Sequence, residues 1–424
     1  MKNDWEIKKL GEVCEINIGR TPERGNFKMW DKEKKTENVW LSIADLNNTE
    51  NGYISDSTEY VSDNAVPKMK LVKANTLLMS FKLTIGRCAI TKRDLFTNEA
   101  IAALPILDKN LDLFFLKYYL ENFDWAKLTE GDVKVKGKTL NKEKLKEVPI
   151  TIPPLEEQKR IVKILDEKFA MLETVKANAK ANLQNAKDLF QSQLTKAFME
   201  ESNPSTCEAG VSSLQNSHLP QHALKWEKKR LGDCGSFKNG MNFASTDTGY
   251  TIRSLGVGDF KNLYKIDNTE QLSEISLKAA PSEDYLLKDG DIVFVRSNGN
   301  KELVGRCLLV YPKNIPTTYS GFCIRFRKDY GELDADFLLH YMKAESSRKI
   351  LNGKEGANIS NLNQKILGDF EVPIPPLSEQ KLIVEQLDSL SEKTKALCAI
   401  YENQIADCEE LKKSLLAKAF EGNL

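Results

Sequence analysis

The sequence has few of the residues on which catalytic and metal sites commonly depend. Among 424 residues there are three histidines, and two of them, His218 and His222, lie in a stretch rich in Ser, Asn, Gln and Pro. These two have helical spacing, but no cluster of Cys, Asp or Glu accompanies them, which argues against a metal site. The chain also offers no credible histidine for a Ser–His–Asp triad. We therefore predict that the chain has no catalytic residues and binds no metal.

Three segments resemble cofactor motifs, and each is incomplete. Residues 137–139 (Gly-Lys-Thr) have Asp132 where a phosphate loop requires glycine. Residues 256–258 lack the third glycine of a dinucleotide fingerprint. Residues 152–155 (Ile-Pro-Pro-Leu) lack the amide or carboxylate, and the aromatic ring, of the amino-methyltransferase motif. We expect no cofactor in this chain.

Long apolar runs are also absent. No segment approaches the run of roughly 20 apolar residues that a membrane-spanning helix needs, and the N-terminus has no apolar core of a signal peptide. The eight cysteines form no Cys-x-x-Cys pair, so we expect free thiols rather than disulfides. These features predict a cytoplasmic protein without a membrane segment.

An excess of positive charge is missing too. Lys and Arg together number 61, as do Asp and Glu, so the net charge is zero, whereas DNA-binding proteins usually carry an excess of basic residues. Basic residues are nevertheless crowded at 134–146 and at 296–328. Each cluster is either a solvated face or a surface that contacts nucleic acid.

The chain contains a repeat with an offset of about 222 residues. Residues 153–159 (Pro-Pro-Leu-Glu-Glu-Gln-Lys) return as 375–381 (Pro-Pro-Leu-Ser-Glu-Gln-Lys), and Gly-Arg-Cys occurs at 86–88 and 305–307. A duplication of the whole half defines the architecture before any local motif does. The repeated Cys88 and Cys307 suit a buried framework position.

Each half begins with a globular unit of mixed α+β pattern. Strand-like runs occur at 39–43, 76–80, 100–104 and 291–295, and amphipathic helices are predicted at 113–123 and from Phe337 onward. We divide the chain into a first globular domain (1–152), a first long helix (153–200), a linker (201–225), a second globular domain (226–374) and a second long helix (375–424).

Two long segments, 155–198 and 377–420, contain neither Gly nor Pro. Their apolar residues recur by threes and fours, as on one face of a helix, and about 44 residues give a length of roughly 66 Å. Such a stripe needs a partner, and the duplicate helix supplies one, so we predict an antiparallel coiled coil. The positions chosen as representative of the pairing stripe are Ile161, Leu165, Leu172, Ile383, Leu387 and Leu397.

Two diverged domains, each followed by this motif and helix, resemble the specificity (S) subunit of Type I restriction-modification systems over essentially the whole chain. Residues 19–22 (Gly-Arg-Thr-Pro) and 40–46 resemble first-domain signatures of that family, and 252–259 resembles the second-domain counterpart. In the second half, residues 239–242 (Asn-Gly-Met-Asn) depart from the Gly-Arg-Thr-Pro pattern.

The resemblance implies a non-catalytic subunit whose two domains each read one half of a split, asymmetric site in double-stranded DNA. It implies that the helices set the spacer and dock two methyltransferase subunits, which would carry S-adenosylmethionine, and that a restriction-translocase subunit would use ATP and Mg. Two alternatives remain open: a fused methyltransferase or restriction polypeptide with its own activity, and a non-catalytic coiled-coil adaptor.

Candidate DNA-contacting residues lie in loops after the repeated strands and before each Pro-Pro. Major-groove base edges are read by such side chains, while phosphate contacts set the register. The candidates are Arg20, Lys82, Arg87, Lys138, Asn141, Arg296, Asn298, Asn300, Lys301, Arg306, Asn358 and Asn363. For Arg87 and Arg306 a structural role, hydrogen bonding to loop carbonyls, is the alternative, because both occupy the same framework point.

Overall fold

The computed structural model describes residues 5–50, 52–129, 133–134, 137–138, 140–198, 226–260, 264–300, 303–351 and 361–424. It divides into two compact units. Unit one comprises Met1–Lys180 together with Asn403–Leu424, and unit two comprises Ala181–Glu402. Each long helix therefore begins in the unit that precedes it in the chain and ends in the other unit.

Unit one is built of short strands and short helices, followed by the start of a long helix. Its strands are β1 (Glu6–Lys9), β2 (Asn17–Ile18), β3 (Val39–Leu41), β4 (Tyr53–Ile54), β5 (Glu59–Tyr60), β6 (Leu77–Ser80), β7 (Cys88–Thr91), β8 (Phe96–Thr97), β9 (Ile101–Leu104), β10 (Val133–Lys134), β11 (Gly137–Lys138) and β12 (Pro149–Ile152). Its helices are α1 (Leu10–Val13), α2 (Leu113–Asn122), α3 (Trp125–Thr129), α4 (Lys142–Lys146) and the first part of α5 (Leu155–Lys196).

Unit two has the same plan. Its strands are β13 (Glu227–Arg230), β14 (Gly235–Asn239), β15 (Tyr250–Leu255), β16 (Lys265–Ile266), β17 (Glu274–Leu277), β18 (Asp291–Val295), β19 (Cys307–Val310), β20 (Thr317–Tyr319), β21 (Cys323–Lys328) and β22 (Glu371–Ile374). Its helices are α6 (Ala335–Lys343), α7 (Glu345–Leu351), α8 (Gln364–Gly368) and the first part of α9 (Leu377–Phe420).

The sheet topologies of the two units are equivalent. The five-stranded sheet has the order β2-β9-β6-β7-β4 in unit one and β14-β21-β18-β19-β16 in unit two. The three-stranded sheets are β5-β3-β8 and β17-β15-β20, and a two-stranded ribbon pairs β1 with β12 and β13 with β22. The parallel pairs also correspond, since β4 runs parallel to β7 as β16 does to β19. The duplication predicted from the sequence is therefore a duplication of fold.

The central strands were predictable because they are buried on both faces. All residues of β6, β9 and β18 are buried, and such strands appear in a sequence as continuous apolar runs. Cys88 and Cys307 begin equivalent strands and are 5% and 2% exposed, which confirms the predicted buried framework position. The mixture of sheets and helices confirms the α+β class.

The two long helices pack against each other in antiparallel orientation, as predicted. In unit one, Lys176 pairs with Glu409, and Lys412 lies 3.7 Å from Glu173, so the residue numbers run in opposite directions along the two helices. The core of unit one also contains Leu416 near the end of α9. In the core of unit two, residues from the end of α5 pack with residues from the beginning of α9: Phe190, Leu194, Ile383 and Leu387.

One residue of the predicted pairing stripe was placed on the wrong face. Ile161, Leu165, Ile383 and Leu387 are buried, and Leu172 is partly buried, but Leu397 is 43% exposed. The buried face of α9 instead continues through Ser391, Thr394 and Cys398. The prediction for Leu397 failed because the seam is lined there by small and polar side chains, which an apolar pattern does not mark.

A buried glutamine fixes the start of each long helix. In unit one, the Gln158 amide nitrogen donates to the carbonyls of Asn110 and Pro153, both at 2.8 Å, and its oxygen accepts from the backbone N–H of Asp112 at 2.8 Å. The Asp112 carboxylate in turn caps α2 by accepting from the Phe114 and Phe115 N–H groups. Gln158 has no exposed surface, so these bonds satisfy otherwise unpaired buried groups.

The same arrangement occurs in unit two. Gln380 donates to the carbonyls of Glu332 and Pro375 at 2.7 Å and accepts from the Asp334 N–H at 2.8 Å. Asp334 then caps α6 through the Phe337 N–H. We call this set of bonds around Gln158 and Gln380 the glutamine clamp. The clamp explains why the glutamine of the Glu-Gln-Lys motif occurs in both copies.

A second contact joins each long helix to the helix that the clamp positions. In unit one, the Tyr118 hydroxyl donates to Asp166. In unit two, His340 occupies the place of Tyr118 and bonds Asp388 at 2.9 Å, and its other ring nitrogen lies 2.7 Å from the Tyr264 hydroxyl. The hydrogen bond from His340 lowers the pKa of Asp388. Both units therefore join this helix to the long helix at the same point, through a tyrosine in unit one and a histidine in unit two.

We predict that Gln158→Ala lowers the free energy of unfolding by on the order of 3 kcal/mol, because it removes the three hydrogen bonds that a fully buried side chain forms with two carbonyls and one N–H. Gln184→Ala, which removes an exposed amide that donates to Asp188 on the same helix, is the matched control. Equal midpoints of thermal unfolding for the two variants would show that the clamp does not stabilise the unit.

A second prediction concerns the corrected helix face. Leu387→Glu places a charge in a buried seam and should cost on the order of 4 kcal/mol, whereas Leu397→Glu should change the stability by less than about 0.5 kcal/mol. Denaturant unfolding of both variants measures the contrast. A large loss of stability for Leu397→Glu would restore that residue to the seam.

Candidate nucleic-acid interface

Equivalent hairpins in the five-stranded sheets carry most of the candidate DNA-contacting residues. In unit one, the Ser80 N–H donates to the Arg87 carbonyl and the Gly86 N–H donates to Ser80, both at 2.9 Å. In unit two, Val295 bonds Arg306 and Gly305 bonds Val295 in the same way at 2.9 Å. The hairpin ends are therefore fixed by matching backbone bonds.

The glycine before each arginine has a conformational reason. Gly86 and Gly305 have φ angles of +87° and +80°, in the region where a side chain is disfavoured. A Cβ on Gly86 would also lie 2.3 Å from Trp125 Nε1. Arg87 and Arg306 thus leave the sheet at equivalent points, Arg87 exposed and Arg306 partly buried.

The structure tests the alternative role of these two arginines in part. Among the described residues, neither the Arg87 nor the Arg306 guanidinium forms a hydrogen bond or salt bridge. The expected bonds to loop carbonyls are therefore not found in that part of the chain. Lys82, in the same hairpin as Arg87, lies with its ammonium 5.3 Å from the Phe81 ring centroid. Within the described residues, the cations of these hairpins are therefore not paired with carboxylates of the protein.

Several other candidates have structural roles of their own. Asn141 and Asn363 are the N-caps of α4 and α8, and their side-chain oxygens accept from the N–H groups of Lys144 at 2.8 Å and Ile366 at 2.9 Å. Arg20 is exposed, with its guanidinium 3.4 Å from the Lys68 carbonyl. A capping role suffices to explain the two asparagines, and their contact with DNA stays a prediction.

The longer hairpin of unit two contains a small turn. Asn298 Oδ1 accepts from the Asn300 N–H at 2.7 Å, a local bond typical of asparagine in turns. The Arg296 backbone is held at both ends, since its N–H donates to Phe322 and its carbonyl accepts from Leu362, both at 2.8 Å. These bonds fix the Arg296 backbone, and its side chain is partly buried.

Three candidates lie where the structure describes no side chain. Lys301 and Asn358 lie outside the described residues, and Lys138 lies in β11, where only the backbone is described. Their predicted contact with DNA stays a prediction. The structure brings Lys82 with Arg87 into one hairpin, and Arg296, Asn298, Asn300 and Arg306 into the other.

One feature of unit one was not singled out from the sequence. The Arg24 guanidinium lies 4.3 Å from the Trp30 ring centroid and 4.8 Å from that of Trp40, and it forms a salt bridge with Glu59. These groups adjoin an open cavity of about 310 Å³ beside Phe27, which is 73% exposed. Basic residues interleaved with aromatic ones at 20–35 were the signal that could have revealed it.

No described helix is long and apolar enough to cross a membrane. Groups of His, Cys, Asp or Glu that could hold a metal ion are likewise not found among the described residues.

Comparison with known families gives two matches that follow the two halves of the chain. Residues 2–185 and 224–405 each match the Type I restriction modification DNA specificity domain. The chain belongs to this family. The repeated sheets, helices and glutamine clamp are therefore the two specificity domains of a Type I restriction-modification specificity subunit.

Curated relatives and solved structures agree with this assignment. The chain is 24% identical to a putative type I restriction enzyme MjaX specificity subunit of Methanocaldococcus jannaschii, over 99% of this chain and 94% of that protein. It is 29% identical to the StySPI specificity subunit of Salmonella potsdam, over 65% of this chain and 58% of that protein.

The fold is shared with solved structures at low sequence identity. A chain from a study of complex assembly and conformational transition of the type I R-M system matches with a TM-score of 0.73 and 18% identity, over 100% of this chain and 99% of that one. The HsdS subunit from Thermoanaerobacter tengcongensis matches with a TM-score of 0.55 and 18% identity, over 100% and 98% of the two chains.

Proposed function

We propose that each unit reads one half of a bipartite, asymmetric site in double-stranded DNA. The observation that carries this proposal is one framework with two different loops. The β6–β7 connection spans residues 81–87, whereas the equivalent β18–β19 connection spans 296–306 and differs in length and sequence. Loops that vary on a constant scaffold are where recognition usually lies. Two related units with different loops can bind two different half-sites.

The paired helices would set the spacer between the half-sites. Both are continuous over about 42 to 44 residues, and a helix of that length is stiff when its apolar face is paired. The sequence of the spacer would then go unread, because the helices fix a distance without presenting groups to the bases.

The chain would act without catalytic chemistry of its own. S-adenosylmethionine would be bound by methyltransferase subunits, and ATP with Mg by a restriction-translocase subunit. The incomplete motifs at residues 137–139 and 152–155 support this division of labour. The competing reading, a fused methyltransferase, requires transfer of a labelled methyl group from S-adenosylmethionine by the isolated chain.

Two exposed apolar patches on the helices suit two methyltransferase subunits. In unit one, Val175 is 48% exposed and Leu411 49% exposed. In unit two, the residues at the same offset of 222, Leu397 and Leu189, are 43% and 55% exposed. Exposed apolar groups repeated by the duplication indicate two equivalent docking sites for copies of one partner.

The first test exchanges the first globular domain. Replacing residues 1–150 by the corresponding part of another specificity subunit should change one half-site and leave the other half-site and the spacer as they were. Methylome sequencing of cells that express the chimera with its methyltransferase reports all three at once.

The reciprocal control replaces residues 226–372 and should change only the second half-site. A chimera with both half-sites altered would contradict independent reading by the two units. Sequence-specific retardation of DNA by the unmodified complex is the baseline, and its absence would favour the adaptor alternative.

The second test addresses the apolar patches. Val175→Glu and Leu397→Glu should each weaken binding of the methyltransferase subunit by about tenfold or more, as expected for charges placed in an apolar contact. Titration calorimetry or gel filtration with the purified partner measures the effect.

Ala177→Glu and Ala399→Glu are matched controls. They introduce the same charge at exposed positions related by the same offset, but about 200° around the helix from Val175 and Leu397. If the controls weaken binding as much as the patch variants, added negative charge is responsible and the patches are not the docking sites.

A further inference from the structure

Basic side chains converge on a cavity in unit two. The cavity has a volume of about 310 Å³, and four of its lining residues are Arg306, Lys343, Arg348 and Lys395. None of the described residues that line it is acidic. Lys395 also pairs with Glu392 on the surface of its own helix, and Arg348 has a further interaction of its own. Arg306 and Lys343 are the two remaining cations of this cavity.

Lys343 lies in an environment that disfavours its charge. It is the last residue of α6, it is partly buried, and its ammonium is 4.0 Å from the Tyr264 ring centroid. Within the described residues it forms no salt bridge. Its pKa is lowered, first by burial and then by the nearby charges of Arg306 and Arg348. Cations held together in this way need an anion to offset their repulsion.

The equivalent place in unit one is neutralised. Glu121 stands at the position of Lys343, and it pairs with the buried Lys117 at 3.0 Å. The same fold thus forms with an ion pair at this point. The concentration of positive charge in unit two is not a requirement of the framework and belongs to that unit alone.

We propose that Arg306 and Lys343 form a phosphate-binding pocket that takes a backbone phosphate of the DNA read by unit two. This proposal rests on the proposed function. Arg306 ends the connection that carries Arg296 and Asn298, so a duplex whose bases meet this loop brings its phosphates beside Arg306. Arginine offers a planar fork to a phosphate and lysine a point charge. Contacts of this kind set the register for base reading.

The experiment measures DNA affinity of the assembled complex against salt concentration, from about 50 to 200 mM. Lys343→Met removes the charge and keeps the apolar stem, and Lys343→Glu supplies the residue of unit one. Both should weaken binding at every sequence tested and leave the preferred half-site unchanged. For Lys343→Met the slope of log affinity against log salt should fall by about one. Lys349→Met, at an exposed lysine outside the cavity that pairs with Glu345, should behave as the unmodified complex.

Folding is checked separately. Because Lys343→Met removes a poorly solvated cation, its midpoint of thermal unfolding should equal or exceed that of the unmodified chain. Inorganic phosphate should raise the midpoint of the unmodified chain more than that of Lys343→Met at equal ionic strength.

Each contrary result has a distinct meaning. A salt slope for Lys343→Met equal to that of Lys349→Met, with no stabilisation by inorganic phosphate, overturns the pocket. If binding remains sequence-specific in that case, the proposed function stands. Stabilisation by inorganic phosphate with an unchanged slope assigns the pocket to a free phosphate and overturns the DNA contact. Loss of methyltransferase binding instead would assign it to a carboxylate of the partner. Failure of the unmodified complex to select a DNA sequence would contradict the proposed function itself.

Discussion

The glutamine clamp is the constraint on which each unit depends. In unit one its amide lies where β12 ends, α5 begins and α2 is capped, and it bonds the carbonyls of Asn110 and Pro153 and the N–H of Asp112. The Gln158 side chain itself has no exposed surface, so its donor and its acceptor must both be bonded within the protein. Glutamate would bring an oxygen against the two carbonyls, and an aliphatic residue would leave all three groups unpaired. Gln158 and Gln380 are therefore retained in both copies while their surroundings diverge.

The clamp orients each long helix at its beginning, and apolar packing holds each helix at its end. The last turns of α9 contribute Leu416 and Ala419 to the core of unit one, and the last turns of α5 contribute Phe190 and Leu194 to the core of unit two. Each core is completed by the end of a helix that begins in the other half of the chain. The folding of each unit therefore depends on residues from both halves. A helix of this composition gains stability from its packed face rather than from local propensity, which explains why both ends are anchored.

The duplication could be predicted because two distant segments repeat the same residues, and the buried strands and the helix stripes could be predicted because each depends on a pattern local in sequence. The miss at Leu397 shows the limit of such patterns. The same one-residue displacement occurs in α5, where Val175 is exposed and Lys176 is partly buried. Lys176 can occupy the seam because it pairs with Glu409 from the other helix, and a partner 233 residues away leaves no trace in local periodicity. The capping roles of Asn141 and Asn363 were visible in the sequence only as loop polarity, since capping depends on the backbone angles that follow.

Charge composition was the least informative property, and the structure explains why. A net charge of zero describes the whole chain, whereas a phosphate meets only the charges within about a Debye length, roughly 10 Å at moderate salt. In unit one a lysine and a glutamate compensate each other beside Cys88, and at the equivalent place in unit two Arg306 and Lys343 do not. Duplicated frameworks can therefore differ in their local potential without any change of fold. The glutamine clamp and the sheets form with either arrangement of charges. The electrostatic surfaces of the two units could therefore diverge, and such divergence is required if the units recognise different ligands.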